Sequence, residues 1–219
     1  MSIGSFTSES KFLERSRIAL TNAETHLEIK PLLASFGMDA PKIAAGWVIY
    51  NKAKTSWEFN QKEDAETTLA SNDYKKAYAE LESLFDRHRD QSLIFFKKRP
   101  DFLIKLGVKG NFPSKYNEFF DKVKEFYTAI QKNPDIQTQL LLCKITPAIV
   151  KDCLAKHQAL LSLRAIYDKE SGESQATTVS KNADLLILKD WMEDFDIIAK
   201  IALYDNPQLL EVLGILVRS

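Results

Sequence analysis

Residues 207–215 read Pro-Gln-Leu-Leu-Glu-Val-Leu-Gly-Ile, and residues 100–108 read Pro-Asp-Phe-Leu-Ile-Lys-Leu-Gly-Val. Each stretch has a proline, then an apolar run, then glycine followed by an aliphatic residue. This pattern predicts a short helix that opens at the proline and closes where the glycine takes the left-handed conformation. Glycine suits this position because it has no Cβ to clash there. The closing motif recurs at residues 33–38, and a degenerate copy at 140–145 has Lys144 in place of the glycine.

Pro207 lies 107 residues after Pro100, and the same shift of 107 residues pairs similar residues elsewhere in the chain. We call this shift the repeat offset. The apolar or polar character of a position, and the placement of proline and glycine, persist where residue identity does not. Examples are the pairs Met38 and Ile145, Ile43 and Val150, and Leu81 and Leu188. Self-similarity at a fixed period is typical of a duplicated structural unit. We therefore predict a single helical domain over residues 1–219, built from two tandem repeats at 5–111 and 112–219.

Each predicted repeat contains a long middle segment without an interrupting proline. Asp39 and Thr146 are candidate N-caps, and a proline follows each in the first turn. Two alternatives stay open for residues 41–99 and 147–205. The loop-like composition of residues 171–180 favours a hairpin, whereas a repeat offset that crosses the centre without insertion favours one continuous helix. Either alternative predicts an all-α antiparallel bundle of long helices.

Overall composition narrows the class of protein. Thirty basic and thirty acidic residues cancel, so no net charge favours nucleic acid or an anionic membrane. No run of eighteen apolar residues occurs, and residues 1–17 lack the apolar core of a signal peptide. Only two cysteines are present, which fits a reducing compartment. We expect a cytoplasmic protein.

A resemblance to a known family rests mainly on the C-terminal part of the chain. The run Asp190-Trp191-Met192-x-Asp194-Phe195, together with residues 207–215, resembles a family of uncharacterised bacterial all-helical proteins. The Phe36-Gly37-Met38 turn is similar as well. The resemblance implies a helical fold and brings no activity with it.

Catalytic and cofactor-binding signatures are missing from the sequence. It has no phosphate-binding glycine loop, no His-Glu-x-x-His helix and no nucleophile elbow. Cys153 and His157 lie one helical turn apart, as zinc ligands can, with Cys143 nearby. At the repeat offset, however, they match Gly46 and Tyr50, which are packing positions. We interpret both as core residues and predict no cofactor, no metal and no catalytic residue.

The charge distribution suggests a surface for protein–protein contact. Residues 87–124 hold ten basic against four acidic side chains, and residues 168–196 hold three against eight. Complementary ends of this kind favour association. Aromatic residues at different helical faces supply a second candidate region. The candidate interaction surface comprises Trp57, Phe59, Arg87, Arg89, Lys97, Lys98, Arg99, Asp190 and Asp194.

The sequence thus favours a non-enzymatic interaction or scaffold protein with a protein partner or self-association. The alternative is a ligand-binding or catalytic bundle with a site between the repeats. Nucleic-acid binding is a third possibility, against which the modest basic excess and the neutral total argue. For Asp190 and Asp194, a divalent-cation site is weighed against a solvated acidic flank, and the flank is favoured.

Overall fold

A computed structural model describes residues 8–109 and 116–217. No β-strand occurs in these two ranges, so the all-α prediction is confirmed. They form helices in this order: α1 (Glu9–Thr25), α2 (Ile29–Ser35), α3 (Ala40–Phe95), α4 (Pro100–Lys105), α5 (Tyr116–Lys132), α6 (Pro134–Leu140), a 3-10 turn (Leu141–Cys143), α7 (Pro147–Ala202) and α8 (Gln208–Val212).

Helices α3 and α7 are each continuous over 56 residues, so the hairpin alternative is wrong. Their first turns are capped as predicted. The backbone N–H of Lys42 donates to Asp39 Oδ1 at 3.2 Å, and that of Ile149 donates to Thr146 Oγ1 at 3.3 Å. Such caps satisfy amide donors that have no partner inside the helix.

The chain divides into two compact units that cut across the predicted repeats. We call them the terminal unit, up to Asp64 and from Glu173 onward, and the central unit, Ala65–Gly172. Each unit contains one half of α3 and one half of α7. The predicted repeat boundary, between residues 111 and 112, lies outside the described residues, and the single domain of two repeats stays a prediction.

In the terminal unit, the first half of α3 lies antiparallel to the second half of α7. Asn60 donates from Nδ2 to the Thr177 and Thr178 hydroxyls at 3.2 and 3.0 Å, and Gly46 contacts Trp191 nearer the helix ends. Helices α1, α2 and α8 complete a core that includes Leu20, Ile29, Leu33, Met192, Phe195, Leu203 and Leu213.

In the central unit, the second half of α3 and the first half of α7 are likewise antiparallel. Tyr74 stacks on Tyr167 with ring centroids 6.0 Å apart, and Lys156 pairs with Glu80 at 2.8 Å. Helices α4, α5 and α6 enclose an aromatic core that includes Phe85, Phe96, Phe102, Phe119, Phe126 and Tyr127.

Helix ends recur at the repeat offset seen in the sequence. The residues with positive φ in the described chain form two pairs related by the repeat offset: Gly37 with Lys144, and Gly107 with Gly214. The backbone N–H of Val108 donates to Leu103 O at 3.3 Å, and that of Ile215 to Leu210 O at 2.9 Å. The predicted glycine caps are therefore confirmed. The same turn forms at Lys144, where φ is 60° without a glycine. An ancestral duplication stays a prediction.

Candidate interaction surfaces

The outward face of α7 in the terminal unit carries an unusual set of exposed apolar side chains. Ile197, Ile201 and Tyr204 are 57%, 54% and 82% exposed. Ile197 and Ile201 continue a three-and-four spacing along one face of the helix, which brings them into line with two exposed carboxylates, and Tyr204 follows in the turn after α7. We call this face the acidic stripe, and its members are Ile187, Asp190, Asp194, Ile197, Ile201 and Tyr204.

The packing of α7 determines which way the acidic stripe faces. On the opposite side of the helix, Leu188, Met192 and Phe195 are buried in the core of the terminal unit. Trp191 stacks on Phe195 with an interplanar angle of 16°. Gly46 of α3 makes room for the Trp191 ring, since a Cβ there would lie 2.5 Å from it. These contacts lock the rotation of α7 about its axis and leave the acidic stripe in water.

The charges on the acidic stripe are not neutralised by any residue that the structure describes. Neither Asp190 nor Asp194 has an ion-pair partner among the described residues, and the neighbouring Glu193 pairs with Lys189 at 3.6 Å. Both carboxylates are exposed, as the interpretation of a solvated acidic flank predicts. The acidic stripe thus combines apolar surface with free negative charge.

The central unit carries a surface of opposite charge on the last turns of α3, in the turn that follows and along α4. Ile94 and Ile104 are 78% and 66% exposed there. The basic residues around them are exposed as well. We call this surface the basic end, and its members are Arg87, Ile94, Lys97, Lys98, Arg99, Ile104 and Lys105.

Charge pairing differs among the members of the basic end. The Arg99 guanidinium donates to Asp101 at 2.8 and 3.0 Å and lies 3.7 Å from the Phe102 ring centroid. By contrast, Lys97 and Lys98 have no ion-pair partner in the described part of the chain. These two ammonium groups are therefore available to an external carboxylate.

Arg89 belongs to a different face of α3 from Arg87. Two residues of an α-helix separated by one other residue point in nearly opposite directions. Arg89 is half-buried and lies 3.5 Å from the Asp90 carboxylate, whereas Arg87 is exposed. Arg87 therefore shares the face of α3 that carries Ile94, two turns further along the helix, and Arg89 does not.

Trp57 borders a shallow pocket in the terminal unit. The pocket has a volume of about 410 Å³, and its walls come from α1 and α3: Ser10, Leu13, Glu14, Arg17, Tyr50, Lys54 and Trp57. Its charged groups are paired, Arg17 with Glu14 at 2.7 Å and Lys54 with Glu58 at 3.5 Å. Burial raises the pKa of the Tyr50 phenol, which keeps it neutral. The pocket offers aromatic surface and no unpaired charge.

Phe59 lies on another face of α3 from Trp57, as the sequence predicts, and is half-exposed. It borders a groove of about 230 Å³ with Ser56, Ala176, Thr177 and Ser180. The Lys62 ammonium is 5.9 Å from its ring centroid. The walls of this groove are hydroxyl, methyl and aromatic groups, and none of the residues that line it carries a carboxylate, imidazole, thiol or amine.

The side chains best suited to catalysis are enclosed in the core of the central unit. His88, Tyr127 and Cys153 are buried, and 2.9 Å separates His88 Nδ1 from the Tyr127 hydroxyl. Burial lowers the pKa of His88 and raises the pKa values of Tyr127 and Cys153. All three are therefore neutral at physiological pH and shielded from water.

His157 is also a core residue, as the sequence predicts. Its Nε2 lies 3.1 Å from the carbonyl oxygen of Phe120, and its ring centroid is 3.7 Å from that of Phe120. Burial lowers the pKa of its imidazole. Cys153 and His157 thus take part in packing.

A buried carboxylate also has a structural role in the terminal unit. Asp184 accepts a hydrogen bond from the Ser56 hydroxyl and pairs with Lys52 Nζ at 2.9 Å. The Ser56 hydrogen bond, followed by Lys52, holds the pKa of Asp184 below its ordinary value. Asp184 therefore links α3 to α7 as an anion.

Sequence reasoning found both charged regions and missed the isoleucines that accompany them. The three-and-four spacing of Ile187, Ile197 and Ile201 with the two aspartates was the available signal. It could not be separated from the neighbouring Ile198 and Leu203, which face the core.

Comparison with protein families, curated proteins and solved structures gives no match. No helix in the described ranges is long and apolar enough to cross a lipid bilayer.

Proposed function

We propose that this protein is a non-enzymatic interaction protein that binds a protein partner through the acidic stripe. The observation that carries the proposal is the outward face of α7, where exposed apolar side chains flank two carboxylates that have no ion-pair partner among the described residues. The water-facing side of a helix is normally polar. Exposed apolar surface bordered by polar groups is typical of a protein–protein contact.

The environment of the reactive side chains supports a non-enzymatic role. An active site needs titratable groups that converge in a pocket open to the substrate. Here His88, Cys153 and His157 are buried in the core of the central unit. The pocket beside Trp57 contains none of them.

A ligand-binding role is the second candidate, and the pocket beside Trp57 is the observation that favours it. Tyr50 and Trp57 offer it aromatic surface for a small apolar molecule. Its walls come from α1 and α3 and so lie within the first predicted repeat, not between the repeats. We rank this role second because Glu14 already pairs with Arg17, which leaves little to select a ligand. Nucleic-acid binding by the basic end is weaker still, since the chain has no net positive charge and the most exposed apolar side chains there, Ile94 and Ile104, cannot stack on bases.

The state of the cysteines supports a proposed location in the cytoplasm. Cys143 and Cys153 are both free thiols. Free thiols without a disulfide framework fit a reducing compartment.

The test is affinity capture from the native cells with tagged variants of the full chain. The stripe variant is Ile197→Asp/Ile201→Asp, which charges the apolar part of the acidic stripe. The matched control is Val48→Asp/Val179→Asp, which makes the same kind of change at two exposed apolar positions outside it. All three proteins should give the same helical circular dichroism and the same unfolding temperature, because exposed positions contribute little to stability.

We expect the wild type and the control variant to retain the same bound proteins, and the stripe variant to lose them. A stripe variant that is folded and still retains every protein captured by the wild type would refute the proposal.

A further inference from the structure

The acidic stripe and the basic end correspond in part at the repeat offset, whereas Asp190 and Ile197 of the stripe match Ser83 and Asp90, which lie outside the basic end. Ile94 corresponds to Ile201, and both are exposed. Around this shared apolar residue the charges are inverted: Arg87 corresponds to Asp194, and Lys98 corresponds to Asp205. The two surfaces thus share an exposed isoleucine and one matched position of opposite charge, and Asp205 adds a second inverted charge beside the stripe.

The charges at these positions are exposed and free to act on another molecule. Arg87, Lys98, Asp194 and Asp205 have no ion-pair partner among the residues that the structure describes. This contrasts with many exposed charges elsewhere, such as Arg17 with Glu14 and Lys122 with Glu125. Unpaired opposite charges beside matched apolar surface are what a complementary contact requires.

We propose that the partner of the acidic stripe is the basic end of a second copy of this chain. This inference rests on the proposed function, because it assigns a binding partner to the same surface. In the contact, Ile197, Ile201 and Tyr204 of one copy bury their exposed surface against Ile94 and Ile104 of the next. Asp190 and Asp194 meet Lys97 and Lys98.

The geometry of this contact determines the kind of assembly. The two surfaces belong to different parts of the chain, so the contact is heterologous, and a pair of copies keeps one unused surface of each kind, the basic end of one copy and the acidic stripe of the other. Heterologous contacts propagate into open chains or close into rings. Association therefore continues beyond a dimer as protein concentration rises.

Salt concentration separates the two components of the contact. Exposed charges are screened within about 8 Å at physiological ionic strength, and within about 3 Å at 1 M salt. The apolar component is not screened in this way. We expect the mean mass in solution to fall toward that of the single chain as salt is added.

The experiment is sedimentation velocity on the full chain over a range of protein concentrations, at low and at high salt. Two charge-reversal variants test the surfaces: Asp190→Lys/Asp194→Lys for the acidic stripe and Lys97→Glu/Lys98→Glu for the basic end. The matched controls are Asp73→Lys and Lys75→Glu/Lys76→Glu, which reverse exposed charges elsewhere on α3. Circular dichroism establishes that every variant is folded.

We expect the wild type and both controls to associate at low salt, and each charge-reversal variant alone to sediment as a single chain. An equimolar mixture of the two charge-reversal variants should associate again, because each then meets an opposite charge. Loss of folding cannot produce that restoration.

The inference is overturned if the wild type is a single chain at every concentration at low salt, if both charge-reversal variants associate like the wild type, or if their mixture stays dissociated. A wild type that never self-associates, but whose captured proteins still depend on Ile197 and Ile201, would refute self-association and leave the proposed function standing.

Discussion

Trp191 lies so close to Gly46 that a Cβ at residue 46 would come within 2.5 Å of two carbon atoms of the indole ring. Leu20 Cδ2 would be 2.8 Å away. The first half of α3 and the second half of α7 can approach to this distance only because residue 46 has no side chain. This contact orients the acidic stripe, because Trp191 lies on the same turn of α7 as Asp190.

Replacing Gly46 by alanine should destabilise the protein by about 1–3 kcal/mol through overpacking against Trp191. This cost exceeds the gain of about 1 kcal/mol that alanine normally brings to a helix interior. Gly172→Ala is the matched control, since Gly172 is also within a long helix and nothing lies within 4 Å of its added Cβ. Urea unfolding should show the first variant weakened and the second unchanged or strengthened.

The central unit suggests a way to relieve this overpacking. At the repeat offset, Cys153 and Leu84 occupy the positions of Gly46 and Trp191. Adding Trp191→Leu to Gly46→Ala should therefore cost less than the sum of the two single changes, because the ring that clashes is gone. Additive losses in the double variant would show that the contact with Trp191 is not the cause.

Lys144 should be improved by glycine. It adopts φ 60°, a conformation that costs an L-residue about 1–2 kcal/mol. Lys144→Gly should raise the free energy of unfolding by about 1 kcal/mol, less the extra freedom that glycine gives the unfolded chain. Gly37 has φ 83° at the equivalent position, so Gly37→Ala should lower it by a similar amount. Chemical denaturation of both variants tests these two changes. A Lys144→Gly protein that is no more stable than the wild type would contradict the expected strain at Lys144.

Asp184 should contribute to the free energy of unfolding, although the sequence predicts a polar helix surface at this position. Asp184→Ala removes the acceptor for Ser56 and the partner of Lys52, which should cost about 1–3 kcal/mol. Asp190→Ala is the control, since Asp190 is exposed and has no ion-pair partner among the described residues. Thermal unfolding should separate the two variants, and an unaltered Asp184→Ala protein would contradict this prediction.

Acidification should destabilise the protein through its buried histidines. The pKa of His88 is lowered in the folded state by burial, so the unfolded chain binds the proton more readily. The stabilisation is fully present above the unfolded pKa of about 6.5 and is lost as pH falls through the folded pKa. His157 acts in the same direction.

The variant His88→Gln tests this pH dependence. Its amide can still hydrogen-bond to Tyr127 but cannot take up a proton. The difference in unfolding free energy between neutral pH and about pH 5 should therefore be smaller in His88→Gln than in the wild type. Equal differences in the two proteins would exclude His88 as a source of acid sensitivity.

The all-α class, the caps and the glycine turns could be predicted because they depend on local interactions. Asp39 and Thr146 cap helices through hydrogen bonds to residues three positions away. Gly107 and Gly214 close helices through their own backbone conformation. Even the turn at Lys144 followed the predicted position, because the hydrogen bond from Ile145 N to Leu140 O forms despite the missing glycine.

The candidate interaction residues were predicted in part. The charged members Arg87, Lys97, Lys98, Asp190 and Asp194 were found because charge runs are visible in the sequence. Exposed isoleucines were missed because an isoleucine pattern does not show which helical face meets a neighbour. Only the packing of Trp191 and Phe195 against the terminal core reveals that Ile197 and Ile201 face water.

By itself, the sequence determined where helices begin and end in this protein, since capping and glycine conformation act within a few residues. Tertiary structure decided that α7 continues through the polar stretch that resembles a loop. There Thr177 and Thr178 accept hydrogen bonds from Asn60 on α3, and Ser174 donates to Asp64 at 2.5 Å. Polar side chains at the centre of a long helix are stable when a partner helix supplies their hydrogen bonds, and that partner is far away in sequence.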